Sequence, residues 1–327
     1  MSEKRKHIVV SSPYRVSLGG GGTDLPFYAS QNGGSLITAA INEYITVLVA
    51  KRTLDKKIFL QYSSTEMVDS IEQISHKILK EILIYFKISE SIQIATFSTM
   101  PIYTGLGASS TLIVGVTKAI YELYGKSISP IALAEEAFHI EREILGLSGG
   151  YQDQYIAALG GIQLLEISKE LKVKAKSLKI SNESLKKLQA GLFLIYSGVE
   201  RNSEKIIEQQ EKEINIINAY DKIKIIGKSS EDYLMEGNIQ KLGEAMDDHW
   251  KIKKSMTSSI STSSIDQMYL DLKSFGAIGG KIIGAGGGGF FLMAVDRNKD
   301  FFIDTAKKNN FYFVDFQFEF KGAHIVS

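Results

Sequence analysis

One stretch constrains this chain more than any other: Pro101-Ile102-Tyr103-Thr104-Gly105-Leu106-Gly107-Ala108-Ser109-Ser110-Thr111. A strand-like run stops there, turns on two glycines and opens into a helix through a row of hydroxyls. The segment that follows, Leu112 to Tyr121, is mostly apolar, so the helix is expected to lie buried with its start aimed at the turn. The first N–H groups of a helix have no partner inside it, and its dipole leaves that end positive. The stretch is therefore a seat for an anion, and phosphate suits it.

At 327 residues, with 44% hydrophobic and 10% aromatic content, the chain can bury more than one ordinary core, which predicts two closely packed domains. Lys and Arg number 38 against 37 Asp and Glu, a balance that gives no electrostatic reason for a nucleic-acid or anionic-membrane partner. Anion binding must then come from local clusters. The absence of cysteine excludes disulfides, thiolate nucleophiles and Cys-ligated metals, and it fits a reducing compartment. Only Ile8-Val9-Val10 separates the basic Met1 to Lys6 from polar Ser11-Ser12, too little for a signal-peptide core, and no apolar run approaches membrane-spanning length. A cytoplasmic location is expected.

Residues 7 to 18 read as a strand broken at Pro13, followed by Gly19-Gly20-Gly21-Gly22-Thr23-Asp24, where glycine density lets backbone approach a ligand closely around one carboxylate. Strands are expected over 35–52, 57–62 and 91–98, with a helical spacing of apolar residues over 64–86. A second helix is well marked by Ser129 as N-cap, Pro130 at its first position and Gly146 past its end. On its wheel Ile131, Ala134, Ala137, Phe138, Ile140, Ile144 and Leu145 form the apolar arc, and Arg142 and Glu143 belong to the polar side. Glu141 falls in the middle of the apolar arc. A carboxylate aimed into a core requires a cation, so Glu141 predicts either a bound metal or an internal salt bridge with Arg or Lys. Asp153, in the turn Ser148-Gly149-Gly150-Tyr151-Gln152-Asp153-Gln154-Tyr155, is open to two readings: an active carboxylate, or a cap for a short helix.

In the second half, a strand-like stretch over 162–180 leads to a polar connector at 182–189 and a strand at 192–196. A long helix is expected from Asn202 or Ser203 toward Tyr220, with Arg201 beside its start as an oxyanion clamp. Helices follow over 239–254 and 264–275; Trp250 reads as a packed aromatic beside a solvated basic face of Lys251, Lys253 and Lys254. Gly284 to Gly289 then feed the strand Phe290 to Val295, which disfavours a dinucleotide fingerprint because that turn leads from strand into helix. A helix near 300–309, a strand over 311–318 and a last strand around His324 close the chain.

Three glycine-rich motifs in this order, Gly19 to Asp24, Gly105 to Ser110 and Gly284 to Gly289, resemble the GHMP kinase superfamily over essentially the whole chain. The resemblance implies an α+β fold of two domains: a ribosomal S5 domain 2-like domain over residues 1–185 and a ferredoxin-like domain over 186–327, with ATP and Mg²⁺ between them. Gly105, Leu106, Gly107, Ala108, Ser109 and Ser110 resemble the nucleotide loop, joined by Gly286 and Gly287 of the C-terminal motif. Asp153 matches the acid that serves as general base or orients the sugar hydroxyl, and Arg15 the basic position beside it. Glu141 matches the metal carboxylate. Ser109 matches the metal serine, with Ser110 as the alternative because Ala108 replaces the usual first serine.

Arg15 to Asp24 resembles the sugar-kinase form of the first motif, whose Thr-Asp pair contacts the sugar, so Gly22, Thr23 and Asp24 are substrate residues by resemblance. Galactokinase-like members carry Glu-His where Gly21-Gly22 stand here, which argues against galactose and predicts open space for a larger or phosphorylated sugar. With Leu25-Pro26-Phe27-Tyr28 and the turn around Asp153, the motif looks most like the heptose 7-phosphate kinase branch, with fucokinase-like enzymes as neighbours. A kinase of an unphosphorylated sugar and a non-catalytic sugar- and ATP-binding sensor are the alternatives. The distal phosphate needs its own cations, for which Arg201, Lys253 and Lys281 are candidates by position and charge. The implied partners are ATP and a sugar phosphate, without nucleic acid or membrane, and a homodimer is the assembly to consider.

Overall fold

A computed structural model describes residues 6–101, 104–200, 203–213 and 216–326. Strand β1 (His7–Gly19) runs antiparallel to β2 (Gly34–Lys51), from His7 opposite Ala50 to Gly19 opposite Ile37, with helix α1 (Pro26–Asn32) between them. The register shifts between Pro13 and Tyr14, where proline brings no N–H to the ladder. Strands β3 (Ile58–Gln61) and β4 (Thr65–Val68) form an edge hairpin, and α2 (Lys77–Tyr85) leads to β5 (Ile92–Ser98). Helix α3 (Ala108–Leu123) lies across β1 and β2, and α4 (Pro130–His139) continues into a π turn over Ile140–Ile144. Helix α5 (Gln152–Leu159) and strands β6 (Ile162–Ile167) and β7 (Val173–Ser177) complete this half.

The second half contains α6 (Asn182–Gly191), β8 (Leu192–Tyr196), α7 (Ser203–Glu211), α8 (Ile216–Glu236), α9 (Ile239–Lys254) and α10 (Ser263–Ser274). Then come β9 (Gly279–Ile282), β10 (Phe290–Ala294), α11 (Lys299–Lys308), β11 (Tyr312–Val314) and β12 (His324–Ile325). The first sheet has the order β12-β1-β2-β5-β3-β4, with β6 on β2 and β7 beyond it. Long β2 serves two partners on one side, β6 along Gly34 to Ala39 and β5 along Ile45 to Lys51. The second sheet is four-stranded and antiparallel, β11-β8-β10-β9, backed by helices. This is the expected α+β arrangement with two sheets.

Several local expectations need correction. Thr65 to Val68 is a strand rather than helix, because pairing with β3 gives these residues a ladder. The polar connector over 182–189 is helix α6: the Ser181 hydroxyl accepts from the Ser184 N–H at 3.1 Å, and Leu188 is buried. The helix expected from residue 203 onward is two, α7 and α8, and the strand expected over 311–318 is only β11. Ile131 and Ile144, placed in the apolar arc, are exposed, whereas Lys253 turns inward from the face read as solvated. The expected boundary between residues 185 and 186 cuts α6, which continues directly into β8, and the chain's end returns to the first sheet as β12. A division that follows the sheets therefore gives the last strand to the N-terminal unit. No described helix is long and apolar enough to cross a membrane.

Candidate active site

A cleft of about 380 Å³ opens between the layers, lined from the first by Arg15, Asp24, Gly105, Glu141 and Asp153 and from the second by Gln210, Tyr220 and Lys253. Helix α3 starts at its floor. Gly107 is its N-cap at φ 85° and offers no side chain to the first turn, so the N–H groups there remain available to a ligand. A Cβ on Gly107 would also stand 3.1 Å from Asp153 Oδ2, so glycine is required for conformation and for space. Ala108, Ser109 and Ser110 line the cleft, whereas Leu106 is buried and its carbonyl accepts the Arg15 N–H at 3.4 Å. Of the C-terminal motif, Gly284 and Ala285 reach the cleft; the expected Gly286 and Gly287 do not line it. The Gly287 N–H bonds the Ile260 carbonyl at 2.7 Å, and Gly289, at φ 89°, packs against the backbone of Thr104. The motif thus fastens the second layer to the central loop.

Three consecutive residues at the start of α5 reach three different partners, because successive side chains on a helix diverge by about 100°. Gln152 donates to Asp24, through its N–H to Oδ2 at 3.0 Å and through Nε2 to Oδ1 at 3.3 Å. Asp153 accepts from Arg15 Nε at 2.6 Å, while Arg15 Nη1 donates to the Gly105 carbonyl at 2.5 Å. Arg15 thereby ties the acid to the glycine loop. Gln154 Nε2 donates to Glu141 Oε2 at 2.5 Å. Asp153 makes no cap for α5; its carboxylate is turned to the cleft.

Glu141 is buried at 3% exposure on the π turn, an insertion that rotates it inward beneath α3. It accepts the Ser110 hydroxyl at 2.7 Å, and Arg142 Nη2 stands 3.8 Å away. Burial raises its pKa, opposed by Arg142, Ser110 and Gln154, with Asp153 adding to the rise. The structure brings Ser110 to Glu141, and leaves Ser109 exposed at the cleft. Arg142, expected on the polar face, turns in to donate to the Leu147 carbonyl at 2.8 Å.

Asp24 is fully buried; burial raises its pKa, and the Gln152 N–H lowers it. Thr23, expected to meet substrate, does not line the cleft. Its hydroxyl is engaged with the Gly20 and Ser35 carbonyls at 2.8 and 2.9 Å, so it shapes the loop that presents Asp24. Gly22 lines the cleft, but the Gly21-Gly22 pair does not leave open space. A Cβ on Gly22 would stand 2.6 Å from the Tyr220 ring, and one on Gly21 would stand 2.5 Å from Ser17 Oγ. Arg201 lies outside the described residues. Sequence reasoning gave no role to Tyr220 and Gln210, joined by a 2.7 Å hydrogen bond, since nothing local marks helices from the other layer as cleft walls.

Residues 70–161 match the family described as GHMP kinases N terminal domain, and residues 230–309 the one described as GHMP kinases C terminal. The chain is 31% identical to the D-glycero-alpha-D-manno-heptose 7-phosphate kinase of Campylobacter jejuni, over 97% of its own length and 98% of that protein's. A crystal structure of a D-glycero-D-manno-heptose 1-phosphate kinase from Bacteroides thetaiotaomicron superposes with a TM-score of 0.81 at 26% identity, covering 98% of this chain and 99% of that one. Lactococcus lactis galactokinase complexed with galactose shares the fold, with a TM-score of 0.76 and 17% identity over 99% of this chain and 96% of that one. Matches in both halves, the two-sheet fold and near-full-length likeness together mean that the chain belongs to the GHMP kinases, a family of ATP-dependent phosphotransferases.

Proposed function

We propose that this kinase transfers the γ-phosphoryl group of ATP to the anomeric hydroxyl of D-glycero-D-manno-heptose 7-phosphate, giving the 1,7-bisphosphate. The observation that carries the reading is Asp153, held by Arg15 at 2.6 Å beside the uncapped start of α3. Its Oδ2 takes the hydroxyl proton as the sugar oxygen bonds to the γ-phosphorus and the bond to ADP breaks. Arg15 keeps the acid oriented and adds fixed positive charge where the transferring group gathers negative charge. Asp24, presented by Thr23 and Gln152, accepts from a sugar hydroxyl, and the first turn of α3 holds the phosphates of ATP. Near-full-length likeness to the Campylobacter jejuni enzyme supports the choice of sugar.

The donors at Glu141 fit Mg²⁺. They are hard oxygens, one buried carboxylate with the hydroxyls of Ser109 and Ser110 nearby, and Mg²⁺ bound to phosphates needs no more than one or two protein carboxylates. When bound, the ion neutralises charge on the phosphates of ATP. A cytoplasmic site of action suits a consumer of ATP.

The names of two relatives place the phosphate at opposite ends of the heptose, and the bifunctional fucokinase/GDP-fucose pyrophosphorylase of Arabidopsis thaliana matches at 22% identity over 89% of this chain and 30% of its own length. An ADP-release assay over heptose 7-phosphate, heptose 1-phosphate, fucose and galactose decides among them. We expect turnover with the 7-phosphate; turnover of fucose or galactose alone refutes the assignment, and no turnover of any sugar favours a sensor.

A further inference from the structure

Beside the cleft lies a recess walled by Ser17, Gln152, His249, Lys253 and Lys281. Gln152, Lys253 and Gly284 line both spaces, so the two adjoin. The recess is cationic and buried. Lys281 and His249 are each 2% exposed, Ser17 4% and Lys253 5%. Among the described residues Lys281 forms no ion pair, and the charge acting on it is another cation, Arg15. Burial and Arg15 push its ammonium down to about 7, and burial with the two lysines holds His249 well below its ordinary value. The acids of the same helix are engaged elsewhere: Asp247 pairs with Lys251 and Lys273, and Asp248 with Lys251. Among the described residues, the buried Ser17 Oγ and His249 Nδ1 find no hydrogen-bond partner.

Burying lysine beside further cations and unpartnered donors is costly unless something anionic completes the set. We infer that this recess is the subsite for the phosphate that the sugar substrate already carries, with Lys281, Lys253, Ser17 and His249 as its donors. The inference rests on the sugar-phosphate reading above. The recess offers about 10 Å³, space for about one water-sized group, so one phosphoryl oxygen enters it and the rest of the phosphate lies at its mouth beside Lys253. Gln152 Oε1, also without a partner, is then an acceptor for a hydroxyl of the sugar. Among the described residues no carboxylate lines the recess, whereas Asp24, Glu141 and Asp153 line the main cleft, so a phosphorylated sugar binds in the one direction that brings its unphosphorylated end to Asp153.

The test compares wild type with Lys281→Met, which keeps the volume of the side chain and removes its charge. Steady-state kinetics use D-glycero-D-manno-heptose 7-phosphate and unphosphorylated heptose, and thermal melts are recorded with and without millimolar inorganic phosphate. We expect the ratio of kcat/KM for phosphorylated over unphosphorylated sugar to fall about 10- to 100-fold, the size of a lost charged hydrogen bond. Phosphate should raise the melting temperature of wild type and leave that of the variant unmoved. Ser17→Ala, milder for folding, should shift the ratio in the same direction by less. If wild type turns over the 7-phosphate and neither variant changes the ratio, the inference is wrong while the proposed function stands. If wild type turns over no sugar phosphate, the proposed function fails instead. In that case phosphate protection that disappears in Lys281→Met still supports an anion subsite, and no protection overturns it.

Discussion

Asp153 presents one carboxylate oxygen to Arg15 and the other to Gly107, so replacing the acid by its amide keeps the packing and removes the proposed proton acceptor. We expect Asp153→Asn to lower kcat by about a hundredfold to ten-thousandfold, with ATP affinity near wild type. Weakened ATP binding at unchanged turnover would contradict the proton-acceptor role. Lys281 gives a prediction about stability. Its folded pKa, about 7, lies below the ordinary lysine value of 10.5, so between those limits the unfolded chain holds more protons than the folded one. Stability from this group therefore rises with pH from about 7 toward 10.5, and below 7 the full cost of the buried charge is present. Lys253 and His249 on α9 line the same recess, Arg15 on β1 acts on Lys281 as a further positive charge, and burial with the two lysines holds His249 well below its ordinary value. Urea melts of Lys281→Met against wild type should show a relative gain for the variant, on the order of a few kcal/mol, that is full at and below about pH 7 and shrinks in alkali.

At the scale of the element, the start of α5 does the sorting. One helical turn sends Gln152, Asp153 and Gln154 to Asp24, Arg15 and Glu141, so a small rotation of this helix would disturb all three contacts together. The π turn is its counterpart: the extra residue moves Glu141 under α3 and leaves Ile144 exposed. The C-terminal glycine loop works by contact. A Cβ on Gly289 would collide with the Thr104 carbonyl, and φ of 89° already disfavours any other residue there. We expect Gly289→Ala to weaken ATP binding by about tenfold or more, since a displaced Thr104 moves the turn that starts α3. Calorimetric titration with ATP checks this; wild-type affinity would show that the loop and the turn are independent.

For the molecule as a whole, the return of the chain's last described residues to the first sheet links the two layers. Ser11 pairs with His324 and Val10 with Ile325. The Gln189 amide holds the backbone of Phe316 and Phe318, whose rings are buried. Ending the chain before Phe316 removes these bonds along with two buried rings, each worth about 1.5 to 3 kcal/mol. We expect the truncated protein to lose roughly 3 to 6 kcal/mol of unfolding free energy in urea. A loss under about 1 kcal/mol would mean that the final strand is peripheral. The cleft belongs to this scale as well: Tyr220 fills the space above Gly22 only because α8 crosses from the other layer.

What the sequence determined by itself was whatever is encoded by neighbours along the chain. The glycine turn before Ala108, the cap at Ser129 and the glycine loop ahead of Phe290 mark their elements because a positive φ or an unpaired N–H restricts which residues can stand there. The three motifs in order also carried the fold. Tertiary structure decided what depends on partners far away in the chain. Thr65 to Val68 becomes a strand because β3 offers a ladder, and Lys253 points inward because the Gly284 carbonyl waits there. Thr23 supports the loop backbone, while Asp24 beside it is presented through Gln152, 128 positions away. Helical periodicity told that Glu141 was buried, but only the packed structure shows Ser110 and Gln154 as its donors, because hydrogen-bond geometry is set by the docking of three helices and is written in none of them alone.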